Sequence, residues 1–275
     1  MTAVASDAPA LRALVTGATG GIGRATCLAL VTLARASGRP LAIAVAASKP
    51  GPALDELVAL LAAHGATAYG LHADLADPKA CTQLAASAVD RCGGLDVLVS
   101  NAGIARGAPL ATLELADWDR VFAVDVRATW LLARAAHAAL ARSRGAIVAV
   151  ASISALFPFP GLGAYSPAKA GLVMLCRQLA QEWAADGIRV NSVSPGLIRT
   201  PLTEPIYRDP SLLQRRQDAV PLGRIGTPED VARAIVHLAG NDAGYVTGID
   251  LRLDGGLGDR VLATIPGLPR SPAAD

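Results

Sequence analysis

Most of the β-rich runs in this chain are apolar from end to end, and that constrains its fold more than any other feature. The runs are 12–16 (RALVT), 41–47 (LAIAVAA), 67–72 (TAYGLH), 95–100 (LDVLVS), 145–151 (GAIVAVA), 188–194 (IRVNSVS) and 249–253 (IDLRL). A strand with one solvated face alternates apolar and polar residues; an unbroken apolar run is the pattern of a strand covered on both faces. Helical stretches fill the gaps, roughly at 21–36, 52–63, 78–91, 114–142, 164–186 and 228–239. The last has Thr227 as N-cap, Pro228 in the first turn, acids next and Gly240 at its exit, which is a complete set of start and stop signals. This βαβα rhythm predicts an α/β fold with a parallel sheet and helices on both faces.

A chain of 275 residues is one large α/β domain or two small ones, and neither an internal repeat nor a mid-chain linker is visible. The net charge of +2 and the absence of a basic run argue against nucleic acid and anionic membrane as partners. Residues 145–168 carry no charge and are long enough to span a bilayer. Pro158, Pro160, Pro167 and several glycines make a strand, a loop and a helix start the better reading. The first residues lack the basic start and apolar block of a signal peptide. Cys27, Cys81, Cys92 and Cys176 form no C-x-x-C pair and have no His cluster beside them. Reduced thiols in a cytoplasmic protein without a metal site are expected. Residues 1–10 are expected to be flexible and 258–275 loosely held, and the Pro-rich stretch 201–221 reads as a mobile excursion between the last two strands, a lid.

LVTGATGGIGRA follows the first strand and opens the first helix. Its Gly17, Gly21 and Gly23 let a backbone approach a pyrophosphate whose charge the helix N-terminus stabilises; a tight turn without a ligand is the alternative. The gap between the first two glycines differs from the G-x-G-x-x-G fingerprint. At the end of the second strand, where an acid favours NAD and a basic residue accommodates a 2′-phosphate, no acid occurs from 41 to 54, while Ser48 and Lys49 do. NADP(H) is therefore favoured over NAD(H), unless Lys49 is only a solvated loop residue. Asp74, just past the third strand, is either a helix cap or an adenine contact.

AYSPAKAG puts Tyr165 and Lys169 one helical turn apart on one face. A free phenol, with a pKa of about 10, is a poor acid/base at neutral pH, and a fixed ammonium nearby favours the phenolate. Lysine occurs only at Lys49, Lys79 and Lys169 in a chain otherwise supplied with Arg; a retained Lys suits a role that needs a compact amine. Ser152 adds a hydroxyl at the end of the preceding strand. Asp125 is the anomaly. On a helix it shares a face with Trp118, Val121, Phe122, Thr129 and Leu132, while Arg120, Arg127 and Arg134 form a separate stripe. A carboxylate on a buried face has a partner or a task.

TGATGGIG, Asp74, SNAG (100–103), Ser152, YSPAK, RVNSVSPG (189–196), Thr200 and LDGG (253–256) together resemble the short-chain dehydrogenase/reductase family, over about residues 11–257. The resemblance implies a single Rossmann-like, doubly wound domain with a seven-stranded sheet ordered 3-2-1-4-5-6-7. It implies an NAD(P)(H)-dependent oxidoreductase that moves a hydride between nicotinamide and a carbonyl or secondary alcohol. Tyr165 would be the general acid/base, Lys169 would hold the nicotinamide ribose and favour the Tyr165 phenolate, and Ser152 would hydrogen-bond the substrate oxygen. Thr16, Gly17, Thr19, Gly20, Gly21, Ile22, Gly23, Leu75, Asn101, Ala102 and Gly103 would line the cofactor, with Pro195, Gly196, Ile198 and Thr200 at its nicotinamide end. A homotetramer or homodimer through the two long helices is common in the family. Two departures stand out. Ser100 replaces an Asn. Asp125 occupies the position of the fourth catalytic residue, an Asn whose side chain helps hold a water linking Lys169 to solvent. As an anion Asp125 would oppose the ammonium's effect; as a neutral acid it would donate like the amide; or it merely bonds nearby backbone.

Two other readings remain open at this stage: a cofactor-binding sensor with weakened catalysis, and a structural α/β protein. Among enzymes, a 3-oxoacyl-thioester reductase is an alternative. Arg208, Arg215 and Arg216 would then meet an acidic carrier, or else form a solvated face. The substrate pocket should draw on 104–109, 154–160 and 201–221, with Phe157 and Phe159 either meeting an apolar substrate portion or packing.

Overall fold

A computed structural model of the chain describes residues 8–201 and 203–260. Its strands are β1 (Leu11–Thr16), β2 (Leu41–Ala47), β3 (Thr67–His72), β4 (Val97–Ser100), β5 (Ala146–Val150), β6 (Arg189–Pro195) and β7 (Asp250–Leu253). All neighbours pair in parallel, in the order β3-β2-β1-β4-β5-β6-β7. The helices are α1 (Gly21–Ala36), α2 (Pro52–Ala63), α3 (Pro78–Cys92), α4 (Leu115–Phe122), α5 (Ala128–Ser143), α6 (Tyr165–Trp183), α7 (Glu204–Tyr207), α8 (Pro210–Ala219) and α9 (Pro228–Ala239).

Successive strand residues point to opposite faces, and both faces are covered. Val15, Ile43, Val99 and Val193 pack under Leu30 of α1, Leu57 of α2 and Ile235 of α9. Leu14, Leu98 and Ile147 pack under Leu84 of α3, Leu132 of α5 and Leu172 of α6. That double cover is why the runs are apolar without alternation. The chain winds one way from β1 to β3 and the other way from β4 onward. The crevice outside the strand C-termini at this reversal is where open α/β sheets take ligands.

One expectation needs correction. The stretch 114–142 is not one regular α-helix: a π-helical turn, Ala123–Arg127, separates α4 from α5, and Asp125 sits inside it. A π turn fits one extra residue into the helix and is frequent at functional sites. The excursion 201–221 contains two short helices, α7 and α8. Asp209 caps α8 by accepting the amides of Ser211 and Leu212, and Pro210 follows in the first turn, the same signals that open α9. At the termini, the Pro9 and Ala10 carbonyls accept hydrogen bonds from Arg39, and Leu257–Asp259 form a short 3₁₀ turn. The rest of the segments expected to be flexible, 1–7 and 261–275, lies outside the described residues. Among the described residues no helix is long and apolar enough to cross a membrane, and no cluster of His, Cys, Asp and Glu could hold a metal.

Candidate active site

The glycine loop is shaped from the neighbouring strand as much as from its own. Gly17 has φ +61, and a Cβ there would lie 2.9 Å from the Ala102 Cα and from the Asn101 amide nitrogen. A Cβ on Gly23 would lie 2.2 Å from the Gly17 carbonyl, so only glycine fits. Asn101 donates its side-chain amide to the Thr16 and Gly17 carbonyls at 2.9 and 3.0 Å. The Thr16 hydroxyl oxygen accepts the backbone N–H groups of Asn101 and Ala102, both at 3.1 Å. Gly20 precedes α1 without a side-chain cap hydrogen bond. Thr200 covers this turn: a Cβ on Gly21 would come within 3.1 Å of its side chain.

Across the crevice, Ser152, Tyr165 and Lys169 line the same cleft of roughly 740 Å³. Ser152 follows β5 in extended backbone, and its Oγ accepts the Ser154 amide at 3.1 Å. Its own proton is therefore available to a substrate oxygen. Tyr165 opens α6, and one turn later Lys169 places its Nζ 5.6 Å from the Tyr165 ring centre. Lys169 is buried, donates to the Val150 carbonyl at 3.0 Å, and meets the Asp125 Oδ2 at 3.1 Å. Burial works against its charge, but Asp125 and then Tyr165 outweigh burial, so its pKa is raised and it remains an ammonium. Asp125 Oδ1 accepts the Ile104 amide at 2.9 Å. Thus Asp125, on the buried face as expected, touches both the lysine and the loop after β4. Gly103 passes beside this pair.

The cleft wall takes in Thr16, Gly17, Thr19, Gly20, Gly21, Ile22 and Gly23, then Ser48, Asp74, Leu75, Asn101, Ala102 and Gly103, and Pro195, Gly196, Ile198 and Thr200. Lys49 and Asp125 are not part of it: Lys49 lies exposed beyond Ser48, and Asp125 stands behind Lys169. Asp74 does not cap α3; Asp77 does. Asp74 instead accepts the Ala76 amide, which with Arg120 holds its carboxyl below the usual range. Arg120, read from sequence as part of an outward stripe, reaches Asp74 at 3.3 Å and lines the cleft. Ser100 spends its hydroxyl on Thr129 of α5, 2.7 Å away.

Of the expected pocket segments, 104–109 contributes Ile104 and Ala105, and 201–221 contributes Pro201, Thr203, Tyr207 and Arg216. The stretch 154–160 is not in the wall; Phe157 and Phe159 are exposed. Arg216 stacks near buried Tyr207, with its guanidinium 5.8 Å from the ring centre. Cys27, Cys81, Cys92 and Cys176 are buried free thiols, so the cysteines form no part of the site.

A dinucleotide fits these residues. The glycines let the loop pack against Ala102, Asn101 and Thr200 where a Cβ would collide, the first turn of α1 carries no side-chain cap, and Ser152, Tyr165 and Lys169 stand in the same cleft.

A family model described as enoyl-(acyl carrier protein) reductase matches residues 17–258. The 3-oxoacyl-[acyl-carrier-protein] reductase of Synechocystis is 36% identical over 89% of this chain and 96% of its own length. The chain belongs to the short-chain dehydrogenase/reductase family. This family member is accordingly an NAD(P)-dependent oxidoreductase acting on CH–OH or C=O groups. The L-rhamnose 1-dehydrogenase (NAD(P)(+)) of Sphingomonas is 39% identical over 89% of this chain and 94% of its own. The RhlG protein of Pseudomonas aeruginosa, solved as an active-site complex with NADP, superposes with a TM-score of 0.82 at 29% identity, covering 90% of this chain and 96% of that one.

Proposed function

We propose that this enzyme interconverts a small-molecule carbonyl and the corresponding secondary alcohol, with NADP(H) favoured over NAD(H). The observation that carries the reading is the convergence of Ser152, Tyr165 and Lys169 on one cleft with the glycine cradle. When bound, the nicotinamide supplies or takes up a hydride at the carbonyl carbon. Ser152 donates a hydrogen bond from its hydroxyl to the carbonyl oxygen and orients it, keeping its own proton. Tyr165 gives its phenolic proton to that oxygen in reduction and takes it back in oxidation. Lys169, fixed between Val150 and Asp125, holds positive charge beside the phenol and the ribose site. The cofactor preference is supported by Ser48 in the wall at the end of β2, where no acid stands to meet a 2′-hydroxyl. Buried, unpaired cysteines support a cytoplasmic location, and α7–α8 would serve as the lid over the substrate.

Steady-state turnover of NADPH and NADH with ketone, sugar and acyl-thioester panels tests this. NADPH should be the better donor; a clear preference for NADH would reverse the cofactor assignment, and no turnover with any carbonyl would leave a cofactor-binding sensor. A 3-oxoacyl-thioester substrate is the second reading. It is favoured by Arg216, a guanidinium in the cleft wall on α8, whereas Arg208 and Arg215 stay outside it.

A further inference from the structure

We propose that Asp125 is a positioning residue that sets the working direction of this site: in contact with Lys169, it offsets part of the ammonium's pull on Tyr165 and so favours carbonyl reduction over alcohol oxidation. The inference rests on the oxidoreductase reading above. The contact is a built one. Asp125 is almost completely buried, with one oxygen on the Ile104 amide and the other 3.1 Å from the Lys169 ammonium. The Ile104 amide donates to one oxygen, and the ammonium faces the other as an ion pair, its hydrogen bond going to the Val150 carbonyl, so neither neighbour offers an acceptor to this side chain. A carboxylate suits both; an amide cannot, because one end of it is an NH₂ group. Turned either way, an Asn would set N–H against N–H, and relieving that clash needs the lysine to withdraw or a water to intervene. Gly103 leaves the space for direct contact: a Cβ there would lie 3.0 Å from the lysine nitrogen and 3.2 Å from the Asp125 Oδ2.

The titratable groups acting on Lys169 are few: Tyr165 and Cys176 from α6, and Asp125 from the π turn. The loop Asn101–Ile104 and the Val150 carbonyl of β5 bring backbone dipoles only. Burial pushes the Cys176 thiol up to about 12, so it stays neutral across the working range. The ammonium draws the phenol toward phenolate, and a carboxylate in contact with that ammonium cancels a share of the pull. Reduction consumes the phenolic proton and needs the phenol. Oxidation needs the phenolate to accept the alcohol proton as the hydride departs.

The test has two arms. In the apo protein, phenolate absorbance is titrated in the parent and in Asp125→Asn, with Tyr165→Phe counterparts subtracted to isolate Tyr165 from Tyr69, Tyr207 and Tyr245. The Asp125→Asn signal should appear at lower pH. In the holoenzyme, oxidation by the parent should rise steeply from neutral to alkaline pH while reduction does not. Asp125→Asn should oxidise faster at pH 7 by on the order of tenfold, the effect of one unit in a protonation equilibrium. If Asp125→Asn fails to fold, the parent's two profiles decide alone. Coincident titrations, or a parent oxidation rate flat across that range, would overturn the proposal while leaving the enzyme reading intact. Absence of turnover in both directions would instead sink the enzyme reading.

Discussion

At Gly103 the backbone runs so close to two opposite charges that a single methyl group would touch both. Gly103→Ala should therefore push Lys169 off Asp125 by a fraction of an ångström, and displacements of about 1 Å in a catalytic set cost up to about a hundredfold in rate. Turnover should fall about ten- to a hundredfold with the thermal midpoint little changed, measured by steady-state kinetics beside calorimetry. Tyr165→Phe removes the proposed proton donor. Its turnover should drop by about 10²–10⁴, with dinucleotide affinity by fluorescence titration retained. At this scale the sequence was informative in kind but not in pairing. The helical offsets put Asp125 among buried neighbours, and it is buried. That its partners would be Ile104 and Lys169 was not legible, because both come from other segments. Arg120 does lie on the exposed stripe, apart from Asp125, but its partner was not legible for the same reason: periodicity assigns a face, whereas a long flexible side chain reaches a carboxylate of another segment, here Asp74.

Among the elements, the central strands β1, β2, β4 and β5 could be read from their runs, because burial on both faces leaves a nearly uninterrupted apolar signal; the edge strands β3 and β7 are only partly covered and carry polar residues. The π turn could not be read. It contains no Pro or Gly, and an extra residue in a helix has no compositional marker; the buried acid was its only trace. The two short helices of 204–219 were legible in principle, since Asp209 followed by Pro210 repeats the Thr227–Pro228 pattern that located α9. Density of proline obscured them. The capping box of α9 also carries a pH-dependent contribution to stability. Asp230 accepts the Thr227 amide and pairs with Arg224 and Arg233, and Arg224 foremost, together with the cap, lowers its pKa from 3.8 to about 2. A carboxyl with a depressed folded-state value stabilises the fold above its unfolded value and loses that contribution as pH falls toward 2. Because Asp230 is only partly buried and its arginine partners are exposed, screening holds the contribution to about 1 kcal/mol. Asp230→Asn should cost that much at pH 7 by urea denaturation, and the difference from the parent should close between about pH 4 and pH 2.

For the whole molecule, the α4–α5 and α6 surfaces leave Trp130 and Met174 exposed beside a shallow groove lined by Phe122, Val126 and Leu175. The homotetramer or homodimer expected from family resemblance would use this surface, where exposed apolar side chains stand between Asp119 and Arg127. Trp130→Glu combined with Leu175→Glu should give a particle near 27.9 kDa by light scattering; an unchanged mass would move the interface elsewhere. The order of the sheet was legible only through family resemblance, since no local pattern states which strand lies beside which. The hydrogen bonds between Thr16 and Asn101 show how much depends on that order: they join segments 85 residues apart in the chain. The phosphate cradle is therefore not portable. Residues 11–36, excised as a peptide or grafted onto a foreign host, would carry every glycine of the motif and none of its shape, because the mould belongs to β4.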